Sequence, residues 1–286
     1  MSWHDEPLDS GSVADISRSK AVCDRWLRFH WEFYSELAYQ RNKIYDSLKG
    51  ALRDRAQPFE FSKWQRVVKY KYALDPLGTN GSKVDPGGRF NIGAIDESRY
   101  PIFPALYLAS DKGTALAELL GRTDYHNSLT PEEVALTRSD SIAAVSVSGK
   151  IEAILDVRDQ ANLARFVDLI KGFRLSSALI SRARSINFHP SLIKTAQQLA
   201  DRLHQSKWRE WPMLFDVPAL TQISARIVFD AQIEGILYDS VLTEKPCLSL
   251  YPQNFRNSSS YVELDDPAPS AVVQRRVDAT NCLDSG

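Results

Sequence analysis

The most informative stretch of this 286-residue chain reads Asp85-Pro86-Gly87-Gly88-Arg89-Phe90-Asn91-Ile92-Gly93. Two adjacent glycines allow a ligand to approach the backbone closely, and they leave N–H groups free to bind it. The guanidinium of Arg89 can then bind a phosphate through two parallel hydrogen bonds. Because a Gly-Gly turn followed by a surface arginine is common, this stretch alone indicates an anion-binding loop only weakly.

The elements predicted after the loop strengthen the indication of a functional site. Residues 103–109 (FPALYLA) predict a short strand that carries Tyr107. Ser110 or Asp111 can cap the next helix, in which apolar residues surround Glu118. An arginine in a glycine loop, a tyrosine on a strand and a glutamate on a helix therefore follow one another along a short stretch of chain.

The rest of the chain mixes strands and helices without strict βαβ alternation, which predicts an α+β fold. Strands are predicted near residues 64–74, 142–147, 151–157, 213–217, 235–238 and 248–251, and helices near 160–179, 190–203 and 221–229. We divide the chain into a loose N-terminus (1–14), an N-terminal helical segment (15–60), a catalytic domain (61–255) with an insert at about 122–215, and a polar tail (256–286) predicted to be disordered.

An apolar stripe runs along the N-terminal helical segment. Trp26, Phe29, Phe33 and Leu37 recur at helical spacing, and the stripe is interrupted before Ile44, which predicts two helices or one bent helix. Its aromatic face could cap the main domain or bind a partner. Capping is the commoner role for such a face.

The composition narrows the class of protein. Lys and Arg number 35 and Asp and Glu 36, and this net charge of −1 argues against a protein that coats nucleic acid or anionic membrane. Cys23, Cys247 and Cys282 are isolated and predict reduced thiols. With no signal peptide and no apolar run long enough to span a membrane, the sequence predicts a cytoplasmic protein.

Several common catalytic motifs are absent from the sequence. It contains no GxxxxGK[ST], no GxGxxG after a strand, no HExxH and no GxSxG, and its five histidines are dispersed. We therefore predict no metal site, and nothing in the sequence supports nucleoside-triphosphate chemistry.

These pieces together resemble the RES domain, a family named for its Arg, Glu and Ser and best known as the toxin of RES–Xre toxin–antitoxin pairs. The resemblance spans residues 64–255 and rests on GGRFN (87–91) with Gly93, ALYLAS (105–110), TALAEL (114–119) and GILYDS (235–240). It implies an ADP-ribosyltransferase-like fold, with a split mixed β-sheet flanked by helices and, here, an N-terminal helical extension. It also implies destruction of NAD⁺ by hydrolysis or phosphorolysis, and an antitoxin or immunity protein as partner.

The resemblance also assigns roles to particular residues. The implied catalytic residues are Glu118, Arg89, Tyr107 and Ser240, and the implied NAD-binding residues are Gly88, Arg89, Asn91, Tyr107, Lys69 and Ser240. Nicotinamide leaves as a neutral molecule, so a carboxylate that stabilises positive charge on the ribose can suffice without a general acid. NAD⁺ is then the substrate, phosphate is an optional second substrate, and no cofactor is expected.

Two alternatives remain open at this point. With a protein nucleophile in place of water or phosphate, the same residues would make a mono-ADP-ribosyltransferase. A non-catalytic module that binds a partner through Trp26, Phe29 and Phe33 is the second alternative. It has no physical need for the four signature residues together.

Overall fold

The computed structural model describes residues 10–120 and 142–283. The chain divides into two compact units, one formed by residues 1–43 and 172–192 and the other by residues 44–171 and 193–286. All of the predicted site residues belong to the second, larger unit. Within the described residues, no helix is both long enough and apolar enough to cross a membrane.

A seven-stranded mixed sheet forms the centre of the larger unit. Its strands are β1 (Gln57–Lys69), β2 (Leu106–Ala109), β3 (Ile142–Asp156), β4 (Gly235–Asp239), β5 (Pro246–Leu250), β6 (Tyr261–Leu264) and β7 (Arg276–Asp278), in the order β1-β2-β5-β4-β3-β6-β7. Only the β3–β4 pairing is parallel among those described. Because β1 also pairs with β3, the pairings of β1, β2, β5, β4 and β3 close into a ring.

Helices of the larger unit flank this sheet, and the smaller unit contains α1 (Ser10–Asn42) and α5 (Ser177–Ser185). The flanking helices are α2 (Tyr45–Arg53), α3 (Lys112–Leu120), α4 (Gln160–Ile170), α6 (Ala196–Leu203), α7 (Glu210–Phe215) and α8 (Leu220–Asp230). This confirms the predicted fold class of a mixed sheet with flanking helices and an N-terminal helix. Side chains cap several N-termini: Asp159 accepts from the N–H of Ala161, and Thr195 accepts from that of Gln198.

Some predicted boundaries were wrong. Residues 213–217 are not a strand, because Glu210 and Pro212 start α7 and Met213, at 70% exposure, does not enter the core. Residues 142–147 and 151–157 are one strand rather than two. Gly149, which was predicted to separate two strands, lies inside β3. A Cβ at this position would lie 2.5 Å from the carbonyl oxygen of Tyr261, so only glycine permits the close pairing with β6.

The ends of the predicted segments also differ from the structure. Residues 10–14 belong to α1 rather than to a loose terminus, and the helical segment ends before residue 57, where β1 begins. The interruption before Ile44 does separate two helices, α1 and α2. The predicted insert supplies β3 from residues 142–156, while residues 122–141 lie outside the described residues.

The prediction of a disordered tail was wrong for residues 256–283. These residues form β6 against β3 and β7 against β6, and they bury Val262, Val277 and Cys282 in the main hydrophobic core. A hairpin at the edge of a sheet needs only a few apolar residues. The polar composition of this segment therefore did not predict the strands β6 and β7.

The smaller unit has its own apolar core. Phe29 is 1% exposed and packs with Leu179 and Ala183 of α5, while the Phe29 ring lies 5.2 Å from that of Phe188. The ring of Trp26 also meets that of Phe188 edge-on at 5.5 Å. The aromatic face therefore packs against residues 175–188 of the same unit, a contact that the sequence analysis did not predict.

The buried tail residues generate a stability prediction. Val277→Ala should lower the free energy of unfolding by about 2 kcal/mol, because it removes two methyl groups from a fully packed site. Val273→Ala, at a position 69% exposed in the same segment, is the matched control and should change stability by less than about 0.5 kcal/mol. Urea unfolding measures both values, and equal small effects would contradict an ordered tail.

Candidate active site

The loop that contains the predicted signature folds back on itself. Gly87 has φ of +89°, and a Cβ there would lie 2.4 Å from the N of Gly93 and 2.6 Å from the carbonyl oxygen of Asn91. The N–H of Gly93 in turn donates to the carbonyl of Pro86 at 3.2 Å. Glycine is required at position 87 both by its backbone conformation and by this close approach.

The side chain of Asn91 holds the loop in place. Its Oδ1 accepts from the N–H of Gly88 at 2.8 Å and from the hydroxyl of Tyr107 at 2.9 Å. Its Nδ2 donates to the carbonyls of Ser82 at 2.7 Å and Phe103 at 3.2 Å. Fully buried and fully bonded, Asn91 has no polar side-chain atom left for a ligand in this conformation, so its predicted role in binding NAD becomes one of shaping the loop.

Tyr107 reaches the loop from β2. Its hydroxyl accepts from the N–H of Phe90 at 3.0 Å in addition to donating to Asn91. A Cβ on Gly88 would fall 2.3 Å from that hydroxyl, so the glycine admits the tyrosine. Burial raises the pKa of Tyr107 far above its ordinary value. The phenol is therefore neutral at physiological pH and braces the loop as a hydrogen-bonding group.

Arg89, which belongs to the same glycine loop, is buried. It is 7% exposed, and its Nε has no hydrogen-bond partner. Its guanidinium carbon lies 5.7 Å from the centroid of the Tyr238 ring, which also packs against Phe90 at 4.7 Å. Among the described residues no carboxylate forms an ion pair with Arg89. A buried guanidinium that has an unbonded N–H and no acid paired with it among the described residues suits an anionic ligand.

Glu118 and Ser240 meet directly. The hydroxyl of Ser240, which ends β4, donates to Oε1 of Glu118 on α3 at 2.5 Å. The Oγ of Ser240 also accepts from the N–H groups of Leu242 at 3.1 Å and Thr243 at 3.3 Å. Since Ser240 is fully buried and these bonds use its one donor and two lone pairs, it orients the glutamate rather than a ligand.

The predicted residues Arg89, Tyr107 and Glu118 share one electrostatic environment. The charges of Arg89 and Glu118 both act on the pKa of Tyr107 and on those of Tyr238 and Cys247. Burial is the largest effect for all three and raises each pKa. The Cys247 thiol is therefore protonated at neutral pH and is a poor nucleophile. Lys69, by contrast, is exposed at the end of β1, and no described contact joins it to this group.

The structure adds residues that the sequence reasoning missed. Gln222, in the first turn of α8, is fully buried, and its Nε2 lies within 2.8–3.1 Å of the carbonyls of Pro86, Gly88 and Asn91. The helical spacing could have indicated its burial, because Gln222 lies on the same helix face as Ala225, which is buried. A glutamine in a core position needs partners, and the glycine loop supplies them.

Arg66 of β1 is a second buried cation that the sequence reasoning missed. Its two terminal nitrogens donate to the carbonyls of Tyr107 at 3.3 Å and Gly78 at 2.6 Å. Burial lowers the pKa of Arg66 to about 10, which leaves it charged at pH 7. It therefore supports the strand that carries Tyr107.

Comparison with known proteins identifies the family of this chain. The model of the family described as the RES domain matches residues 63–270, and the chain belongs to this family. One solved structure with a similar chain is the M. tuberculosis MbcT–MbcA toxin–antitoxin complex. It is 14% identical, covers 83% of this chain and 95% of its own, and has a TM-score of 0.39. No curated protein matches.

The three bonds of Gln222 generate a prediction. Gln222→Glu should lower the free energy of unfolding by about 3 kcal/mol at pH 7, because a carboxylate would face three carbonyl oxygens. Burial should raise the pKa of the introduced carboxyl, so the deficit should shrink at pH 5 and grow towards pH 8.

The measurement is urea unfolding at several pH values. Gln205→Glu, at an exposed position without a described hydrogen bond, is the control and should be neutral throughout. A pH-independent loss for Gln222→Glu would show that the amide bonds to the loop are not its cause.

Proposed function

We propose that this chain cleaves the bond between nicotinamide and ribose in NAD⁺. Two observations carry the proposal: Arg89 is buried and forms no ion pair within the described residues, and the carboxylate of Glu118 is held by a hydrogen bond from Ser240. Membership of the RES family supports it, since the family resemblance implies this activity.

Cleavage of this bond requires few catalytic groups. The C–N bond breaks with its electron pair going to the pyridinium nitrogen, so nicotinamide departs neutral and the ribose carries positive charge. The Glu118 carboxylate can stabilise this oxocarbenium-like species without taking part in covalent bonding. Water then adds to give ADP-ribose and one proton, or phosphate adds to give the ribosyl phosphate.

The geometry refines how NAD⁺ would be held. Because the N–H of Gly88 is bonded to Asn91, it is not free to bind a phosphate as the sequence suggested. The pyrophosphate would instead meet the guanidinium of Arg89, which Tyr238 supports through its ring face. Tyr107 and Ser240 would act by holding the loop and the glutamate. Their predicted direct contacts with NAD⁺ would require these bonds to break.

We further propose that the enzyme acts as a growth-inhibiting toxin in the cytoplasm. Depletion of NAD⁺ stops growth, so such an enzyme needs an antitoxin or immunity protein in the cell that makes it. Family membership supports this role.

Proton NMR of NAD⁺ with the purified protein, with and without millimolar phosphate, tests the activity. The wild type should release free nicotinamide, and phosphate dependence would identify the acceptor. Glu118→Gln should lower the rate by roughly 10²- to 10³-fold, since it keeps the shape of the side chain but removes the charge that stabilises the ribose. Arg89→Gln should raise KM and lower kcat/KM.

Matched controls remove equivalent charges at exposed positions. Glu97→Gln and Arg256→Gln should leave the release of nicotinamide unchanged. Intact NAD⁺ with a folded wild type would refute the proposed glycohydrolase. Labelled ADP-ribose on added protein would then favour a mono-ADP-ribosyltransferase, and its absence a binding module.

A further inference from the structure

Glu118 is not the only residue of α3 that bonds to the chain segment after β4. Thr114 lies one helical turn before Glu118, so both side chains project from the same face of the helix. The hydroxyl oxygens of Thr114 and Thr243 lie 3.0 Å apart. Thr243 belongs to the turn of residues 240–245, which joins β4 to β5 and begins with Ser240, the partner of Glu118. Two hydrogen bonds, one helical turn apart, therefore join α3 to this turn.

The direction of the bond between the two threonines follows from a third residue. The hydroxyl of Thr114 donates to Oδ2 of Asp111 at 2.8 Å, and a carboxylate can only accept. The proton between the threonines therefore comes from Thr243. Thr114 is 1% exposed, and a hydrogen bond from which water is excluded is electrostatically stronger than one at the surface.

The turn of residues 240–245 is held by its own hydrogen bonds. The N–H of Ser240 donates to the carbonyl of Lys245 at 2.9 Å, and the N–H of Glu244 donates to the carbonyl of Ser240 at 2.8 Å. The Oγ of Ser240 also accepts from the N–H of Thr243 at 3.3 Å. Because these bonds fix Thr243 relative to Ser240, the turn presents two bonding groups to α3 at a set separation.

The helix α3 needs such bonds because its apolar contacts are weak. It has nine residues, and its buried side chains are those of Thr114, Ala115 and Ala117. Small side chains interlock little with their neighbours and resist rotation of a helix less than large ones do. The bond from Ser240 alone would let α3 turn about its axis, with the Glu118 side chain following. A second bond on the same face, about 6 Å away along the axis, removes this freedom.

We propose that Thr114 and Thr243 are positioning residues for the reaction, because the bond between them fixes the rotation of α3 and so the place of the Glu118 carboxylate. This rests on the proposed function. Displacement of a catalytic group by about 1 Å can lower a rate by on the order of 10²-fold. Thr243 lies outside the four motifs on which the family resemblance rests, so those motifs alone do not account for the position of the carboxylate.

The variant Thr243→Val removes the donated proton, keeps the shape of the side chain and leaves the bond from Thr114 to Asp111 in place. It should lower kcat for the release of nicotinamide by about tenfold and change KM by less than about twofold, because the Arg89 side of the site is untouched. Thr243→Ser keeps the hydroxyl and should restore most of the rate. The rates are measured well below the unfolding midpoint of each variant, where a loss of stability alone leaves kcat unchanged.

A double variant shows whether the threonines act through the glutamate. Thr243→Val combined with Glu118→Gln should stay within about twofold of the rate of Glu118→Gln alone, because no carboxylate charge is left to position. Losses that multiply would overturn the proposal. Thr221→Val is the matched control, since it removes a hydroxyl that is equally buried, at 1% exposure, but has no hydrogen-bond partner among the described residues. It should leave kcat unchanged.

A measurement without catalysis separates this proposal from the proposed function. Carbon-13 NMR of the side-chain carboxyl groups reports the surroundings of Glu118, whose resonance is assigned by its loss in Glu118→Gln. The resonance should shift in Thr243→Val and stay in place in Thr243→Ser. If it does so while the wild type releases no nicotinamide, the activity is wrong and the control of the Glu118 position by the threonines stands. An unchanged resonance in Thr243→Val refutes the proposal whether or not the wild type is active, and so does an unchanged kcat in an active enzyme.

Discussion

The buried side-chain amide of Asn91 is the interaction on which the site depends. It joins Gly88 and Tyr107 on one side to the carbonyls of Ser82 and Phe103 on the other. Four hydrogen bonds from one fully buried group fix the glycine loop relative to β2. The position of Arg89, two residues earlier, follows from this arrangement.

Burial of Arg89 without a described ion pair has an energetic cost that other contacts must offset. The neighbouring loop is held by Gln222 from α8 and by the hydroxyl of Tyr251, which donates to the carbonyl of Phe90 at 2.9 Å. The ring of Tyr238 adds an attractive face for the guanidinium. A rigid, dry surrounding of this kind raises the affinity of the cation for a phosphate because little reorganisation is required when the ligand binds.

The sequence predicted the fold class, the strands that carry Tyr107 and precede Ser240, and the helix that carries Glu118. Those elements have strong local signals: an alternating apolar run, a cap and a glycine stop. It could not predict that Asn91 and Ser240 would bond within the protein, because their partners come from distant segments. Ser240 lies far along the chain from Glu118, and no spacing rule joins them.

The predicted tail failed in a different way. Val262 and Val277 are sparse apolar residues in a polar stretch, and they are buried in a core cluster whose other members come from distant segments of the chain. The prediction for residues 213–217 failed because Met213 and Leu214 are apolar yet exposed. Local composition predicts neither the burial of the tail valines nor the exposure of Met213 and Leu214, because both depend on packing against distant segments.

The ring of strand pairings has a consequence for synthesis on the ribosome. Arg89, Tyr107 and Glu118 are synthesised early, whereas Gln222, Tyr238 and Ser240 follow β3 in the sequence. A nascent or prematurely terminated chain that lacks β4 and β5 leaves the ring open and Glu118 without its serine. Domains fold as units as they leave the ribosome, so the assembled site exists only once β4, Ser240 and β5 have been synthesised.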